Sequence, residues 1–375
     1  MIAALRNLIE AVTRSVRPDG SRASIGDNAL PLRHLAALMV IYGHSYDLTV
    51  HKPDRLDLIA SAMPGFKGGS LAVHIFFAIS GYLVMLSILR DPSVLNYSRN
   101  RVLRIFPGYV VSLLVCILLL GPLLTSLPVA SYLHDPGTWE YLRANFVPIS
   151  FSWTLPGVFV ANPYPNIVNG SIWSLGLELR WYTYLGLLMA LGITKRRWAF
   201  SIVATAFLGY AGWEWSMGRP DQHYFRVLSL VFVTSALLAH WREYLRISHI
   251  TMLFLVVVSI AGKGSQWFGP LATVSVIYAS FWFIYRVPAM GWPTNRDYSY
   301  GIFLYGFPAQ QTIVALVPAV TPGPLFACAS LLAAVFAMIS WHFVESPALR
   351  LKRHAGATKQ MAAAIAGNAE TGKEI

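Results

Sequence analysis

Long apolar runs follow one another along the chain, separated by short polar stretches. Ten of them read as helices: Leu32–Leu48, Ser70–Leu89, Ile105–Leu127, Ile172–Ile193, Trp198–Trp213, Tyr224–His240, Ile247–Ala261, Gly269–Tyr285, Tyr300–Val320 and Pro324–Phe343. A span across a bilayer uses roughly 20 apolar residues. The pattern therefore predicts an all-α, polytopic integral membrane protein of about ten transmembrane helices, the sixth to eighth being the shortest. Ahead of them, Ile2, Leu5, Ile9, Val12 and Val16 recur at helical spacing with Arg6, Arg14 and Arg17 interleaved. That is the pattern of a basic amphipathic helix on a membrane surface, and equally of a polar tail. No uninterrupted apolar stretch there resembles a secretory signal. The expected division is a basic segment over 1–30, a membrane domain over 31–347 and a flexible tail over 348–375.

Charge changes this picture in two ways. Only 12% of the 375 residues are charged and 55% are hydrophobic, with a mean hydropathy of +0.52. Soluble domains carry about a quarter charged residues, so an ordinary soluble globule is excluded, and so is disorder. The formal net charge of +12 raises nucleic acid as a partner. Placed on ten alternating spans, however, the Lys and Arg residues favour one set of connections by roughly three to one, as the positive-inside rule requires. The excess is orientation, both termini are expected in the cytoplasm, and no nucleic-acid partner is expected. Cys116 and Cys328 lie in apolar runs and read as core residues rather than a disulfide framework. The oligomeric state is not legible.

Pro128–Ser171 is the one long connection, on the outer side by this topology. It is rich in Pro, Asn and aromatics, including Phe151, Trp153, Phe159 and Tyr164. Such residues suit a sugar, by stacking on its apolar face and bonding its hydroxyls, and they equally suit an interfacial aromatic belt.

Ionisable groups inside spans are costly and are candidates for function. They are few: His44, His74, Glu178 and Arg180. Arg33 and His44 are eleven residues apart, about three turns, and share one helix face roughly 16 Å apart. Arg33 is expected at the cytoplasmic lip and His44 in the outer half. Glu178 follows Ile172 by six residues, roughly 9 Å from the outer edge, so His44 and Glu178 are expected at similar depth. That pair can be a general base with its orienting carboxylate or a satisfied polar contact between helices. Asp47, one turn beyond His44, could also reach it but reads rather as a solvated helix-end residue, and His74 reads as structural. Arg101 and Arg104 share a face next to Arg99, a grip for phosphate or positive-inside topology alone. There is no G-x-S-x-G elbow, Walker A loop, H-E-x-x-H or Cys/His ligand spacing, so no metal site is expected.

These motifs resemble the acyltransferase 3 family of integral membrane acyltransferases. Arg33-x10-His44 lies within LRHLAALMVIYGH; FFAISGYL covers Phe76 to Leu83; Arg101-x-x-Arg104 lies within RVLRIFP; NGSIWSLGLE covers Asn169 to Glu178. DYSYGIFLYGFP and Glu345-Ser346-Pro347 complete a series in order over Pro31–Pro347. The resemblance implies transfer of an acyl, usually acetyl, group from cytoplasmic coenzyme A to a sugar of an exopolysaccharide, lipopolysaccharide or lipid-linked glycan in a bacterial inner membrane. Acetyl-CoA is then a donor substrate and no tightly bound cofactor is expected. His44 and Glu178 become the catalytic candidates. Arg33, Arg101 and Arg104 become donor contacts, and Asn169, Trp173, Ser174 and Trp153 substrate contacts. Either direct transfer or a covalent acyl-histidine fits. Two positions depart from the family pattern: Leu179-Arg180 follow the Glu, and Gly306 stands where many members have His. The rival expectation is a transporter or flippase of glycans, which ten spans with proline-broken helices also suit.

Overall fold

The computed structural model describes residues 22–49, 56–147, 151–217, 223–288, 290 and 296–351. The expected amphipathic segment at 1–20, and the tail from 352, lie outside the described residues. Every apolar run forms a helix. In chain order the helices are α1 (Arg22–Asp47), α2 (Leu58–Ala62), α3 (Gly68–Arg90), α4 (Val94–Leu124), α5 (Val129–His134), α6 (Pro136–Asn145), α7 (Trp173–Ala190), α8 (Arg197–Ser216), α9 (His223–His240), α10 (His249–Ala261), α11 (Phe268–Arg286), α12 (Ser299–Leu316) and α13 (Pro322–Leu351). Among the described residues the only β pairing is one bridge, Thr125 to Val158. Among the described residues, four helices, α3, α4, α11 and α13, are long and apolar enough to cross a membrane.

α3 lies at the centre, packed along α9 and α1, while α12 packs along α13 and α1. Gly43 of α1 meets the backbone of Gly69 at the start of α3 so closely that no side chain fits at 43. That contact fixes the relative depth of the two helices. The outward faces are greasy: Leu253, Phe254, Val257 and Ile260 of α10 are all more than half exposed, a surface suited to lipid rather than water. Cys328 belongs to such a face. It is exposed, whereas Cys116 is buried, which corrects the expectation that both are core. An apolar run marks a span, but not which of its sides meets protein.

Prolines shape three helices, because each removes a backbone donor and frees a carbonyl. In α4 the turn over Cys116–Leu120 is widened to a π-turn, with Gly121 N–H donating to Cys116. Pro122 cannot donate to Ile117 in that register, and the Tyr132 hydroxyl donates to the Ile117 carbonyl instead, at 2.9 Å. In α12, Pro308 frees the Leu304 carbonyl four residues before it. The Asn169 amide takes it at 2.9 Å. In α13 a second π-turn over Trp341–Glu345 precedes Pro347 and turns Glu345 inward, where it is 2% exposed. π-turns of this kind recur at functional sites.

The 151–172 segment is not a loop lying over the surface. Asn162 donates to Gln311 through its side-chain and backbone oxygens (2.7 and 2.9 Å), and Gln311 donates back to the Tyr164 and Ile167 carbonyls. Val168, Asn169 and Ile172 are buried. The chain therefore dips into the protein before α7 begins.

Candidate active site

The described residues form two cavities around α1, α7 and α12. The inner one, about 250 Å³, is lined by Arg33, Ser80, Arg101, Arg104, Ser174 and Glu178, with Tyr182 and Phe303. The outer one, about 540 Å³, is lined by His44, Asp47, Lys67, Trp153, Trp173 and Phe307, with Tyr164 and Gly170. Trp173 and Ser174 are neighbours in sequence, and Phe303 and Phe307 are one turn apart. The two chambers thus approach each other to within about one residue.

In the outer chamber, His44 stands edge-on to Phe307, with ring centroids 5.2 Å apart at 81°. Phe307 is itself placed by Gly170, where any side chain would collide with the ring. His44 Nδ1 lies 4.0 Å from Asp47 Oδ2. Lys67 Nζ bonds the other Asp47 oxygen at 2.6 Å. Asp47 is not the isolated solvated residue the sequence suggests: an (i, i+3) step puts it beside the imidazole, and Lys67 holds it there. Trp153 stacks on Phe151 at 5.2 Å, which backs the indole where it lines the wall.

Glu178 is elsewhere. It accepts hydrogen bonds of 2.5 Å from both the Ser80 and Tyr182 hydroxyls. Gly43 meets Gly69, and Ser80 lies eleven residues further along α3, roughly 16 Å deeper. Glu178 therefore shares the depth of Arg33, not of His44. The expectation of equal depth fails because α7 begins inside the protein, after the dipping segment, rather than at the membrane edge. The carboxylate facing His44 is Asp47.

The inner chamber gathers the three expected arginines, but unequally. Arg33 and Arg104 both reach Asp297 Oδ2, at 3.2 and 2.6 Å, and Arg104 Nη1 lies 3.6 Å from Glu345. Ser299 donates to the other Asp297 oxygen at 2.5 Å. Burial opposes ionisation of Asp297, but the two guanidiniums outweigh it and hold its carboxyl below the ordinary carboxylate range. Arg101 forms no ion pair among the described residues. Its guanidinium lies over the Tyr182 ring at 5.4 Å, and its buried Nε, like that of Arg33, has no hydrogen-bond partner there. Glu178 thus fixes Tyr182, and Tyr182 carries Arg101.

Of the expected substrate contacts, Trp153 and Trp173 line the outer chamber and Ser174 lines the inner one. Asn169 lines neither. It is 1% exposed, and its carboxamide is used up by the Leu304 carbonyl and the Ser171 N–H. Asp297, Glu345, Ser80 and Tyr182 were given no role from the sequence. The signal for Asp297 was its place at the head of the DYSYGIFLYGFP motif, and for Glu345 its place before Ser-Pro.

A family model described as "Acyltransferase domain" matches residues 32–342. The chain is 26% identical to a protein named "O-acetyl transferase" from Shigella phage Sf6, over 84% of this chain and 93% of that one. It is 27% identical to "Nodulation protein 10" of Rhizobium leguminosarum bv. viciae, over 86% of this chain and 92% of that one. No solved structure matches the chain. With its apolar helices and a match covering both chambers, the chain is an integral membrane protein and belongs to the acyltransferase 3 family.

Proposed function

We propose that the protein moves an acetyl group from cytoplasmic acetyl-CoA to a sugar hydroxyl presented from the other side of a bacterial inner membrane. Ten spans with both termini cytoplasmic would place the arginine chamber inside and the His44 chamber outside. The observation that carries this reading is the approach of the two chambers at Trp173 and Ser174. It offers a donor entering from one face and an acceptor entering from the other a common meeting point. The phage relative's name supports an O-linked acetyl product.

Arg101 is the cation best placed to receive a coenzyme A phosphate, with Arg33 beside it. The thin pantetheine arm would pass Ser174 toward His44. Trp153, Trp173 and Tyr164 would stack on the sugar. His44 would take the hydroxyl proton as the oxygen attacks the thioester carbonyl. The new C–O bond forms, the C–S bond breaks, and the leaving thiolate recovers the proton from the imidazolium. Asp47 would orient the ring and stabilise its cationic form. Glu178 is a positioning residue in this scheme, acting through Tyr182 and Ser80.

The test is the purified full chain in lipid vesicles, given acetyl-CoA and a glycan acceptor. Coenzyme A release should match O-acetyl sugar formed, and His44→Ala should lower both by about 10²–10⁴-fold while the protein still inserts. Unchanged transfer in that variant would remove His44 from the mechanism. Glycan movement without coenzyme A release would put transport in place of catalysis.

A further inference from the structure

Lys67 is the one lysine or arginine lining the outer chamber among the described residues, and the chemistry above gives it no part. Its backbone is held from three directions. Its N–H donates to the Ser70 hydroxyl at 2.7 Å, in the first turn of α3. The next N–H, of Gly68, donates to Asp57 Oδ2 at 3.0 Å, and the other oxygen of this buried carboxylate caps α2 through the Ala60 N–H at 2.7 Å. Gly69 lies against Gly43, the residue before His44. The contact that sets the depth of α3 therefore also sets Lys67 beside the His44 turn of α1.

The residue type runs against its place. Lys67 is the N-cap of α3. That position favours Ser, Thr, Asp and Asn, and a helix N-terminus carries a partial positive charge that repels a cation. An ammonium cannot accept a hydrogen bond from the backbone N–H groups there. Folding stability does not repay this cost. The Lys67 side chain is 58% exposed and that of Asp47 36%, and an ion pair so open to water adds little. A residue that breaks a local rule without a structural return is expected at a working site.

The ammonium selects one orientation of a carboxylate. It takes Asp47 Oδ1 at 2.6 Å and leaves Oδ2 facing His44 Nδ1 at 4.0 Å. Asp47 is the last residue of α1, where an unheld side chain would turn to water. The gap of 4.0 Å is longer than a hydrogen bond, and such contacts tighten when the reacting complex forms.

We propose that Lys67 is a positioning residue for acyl transfer, acting on His44 through Asp47. It holds the carboxylate so that Oδ2 meets Nδ1–H, which leaves Nε2 as the basic nitrogen for the acceptor hydroxyl. This rests on the reading of His44 as the base.

The experiment is steady-state kinetics of the purified full chain in lipid vesicles, with acetyl-CoA and a glycan acceptor. Lys67→Met should lower kcat by about three- to fivefold, with the acceptor KM unchanged. Lys67→Gln, which keeps a polar side chain, should show the same loss, and Lys67→Arg should restore most of the rate. In an Asp47→Asn background, Lys67→Met should cost less than about twofold more, because its route to His44 is already gone. The same three- to fivefold loss in both backgrounds overturns the proposal. So does a raised acceptor KM at unchanged kcat, which would make Lys67 a contact of the sugar. His44→Ala separates the two readings: if that variant is inactive and the Lys67 and Asp47 effects simply multiply, this inference fails and the base stands. If His44→Ala transfers normally, the base fails and this inference with it.

Discussion

His44 finds its carboxylate within its own helix, and Asp297 finds two cations from two helices. These local facts set the expected behaviour of each site. Asp47→Asn keeps the side-chain size but removes the charge that would steady an imidazolium. It should lower kcat by about tenfold, less than loss of the base itself, with KM for the donor unchanged. A raised donor KM would place Asp47 at the wrong end of the reaction. For Asp297 the sign is fixed by its depressed value. Its stabilising contribution is fully present above the ordinary carboxylate pKa of about 3.9, and is lost only as pH falls from there toward the folded value. Thermal unfolding in detergent should therefore show no pH dependence traceable to Asp297 between about pH 5 and 8, and a loss there that vanishes in Asp297→Asn would contradict this. Removing that carboxylate leaves Arg33 and Arg104 facing each other, with Glu345 the remaining acid near them among the described residues. Asp297→Ala should cost about 2–4 kcal/mol, toward the low side of the range for a broken buried pair because Arg33 remains a quarter exposed.

The helices are intelligible as responses to proline. The sequence announced where backbone donors are missing, at Pro122, Pro308 and Pro347. It did not announce which groups would take the freed carbonyls, because Tyr132 and Asn169 reach them from other parts of the chain. That is why Asn169 read as a sugar ligand and is a tether. Asn169→Ala should leave the buried Leu304 carbonyl unpaired and cost about 1–3 kcal/mol, seen as a lower unfolding temperature, with acceptor KM little changed in the protein that remains folded. The same reasoning explains the departure at Gly306. A side chain there would meet Ile41 of α1, and one turn on, Gln310 donates to the Ile41 carbonyl and the Ser45 hydroxyl, each at 2.7 Å. Gly306→His should therefore destabilise the protein, by about 1–3 kcal/mol for overpacking, rather than restore anything. The misjudged depth of Glu178 has a related origin: apolar periodicity locates a helix, but says nothing of a non-helical segment that carries its start into the interior.

At the scale of the whole molecule, the order of helices was legible because each hydrophobic run is long and charge-poor. The membership of each chamber was not, because it depends on contacts between runs far apart in sequence. Orientation is read by labelling from each side. In a Cys328→Ser background, cysteine introduced at Glu140 should react with a membrane-impermeant reagent added outside intact cells, and cysteine at Arg196 should react only after the membrane is opened. Both residues are exposed, so the reversed pattern would invert the topology. The meeting of the chambers at Trp173 and Ser174 also bears on insulation. On the proposed orientation, water reaches toward the middle of the bilayer from both faces, and the cell's electrical barrier at this point is about one side chain thick. Trp173 is then a plug as well as a sugar platform. Replacing it with glycine should make vesicles containing the protein leak protons, a defect visible with a pH-sensitive dye even when no substrate is present.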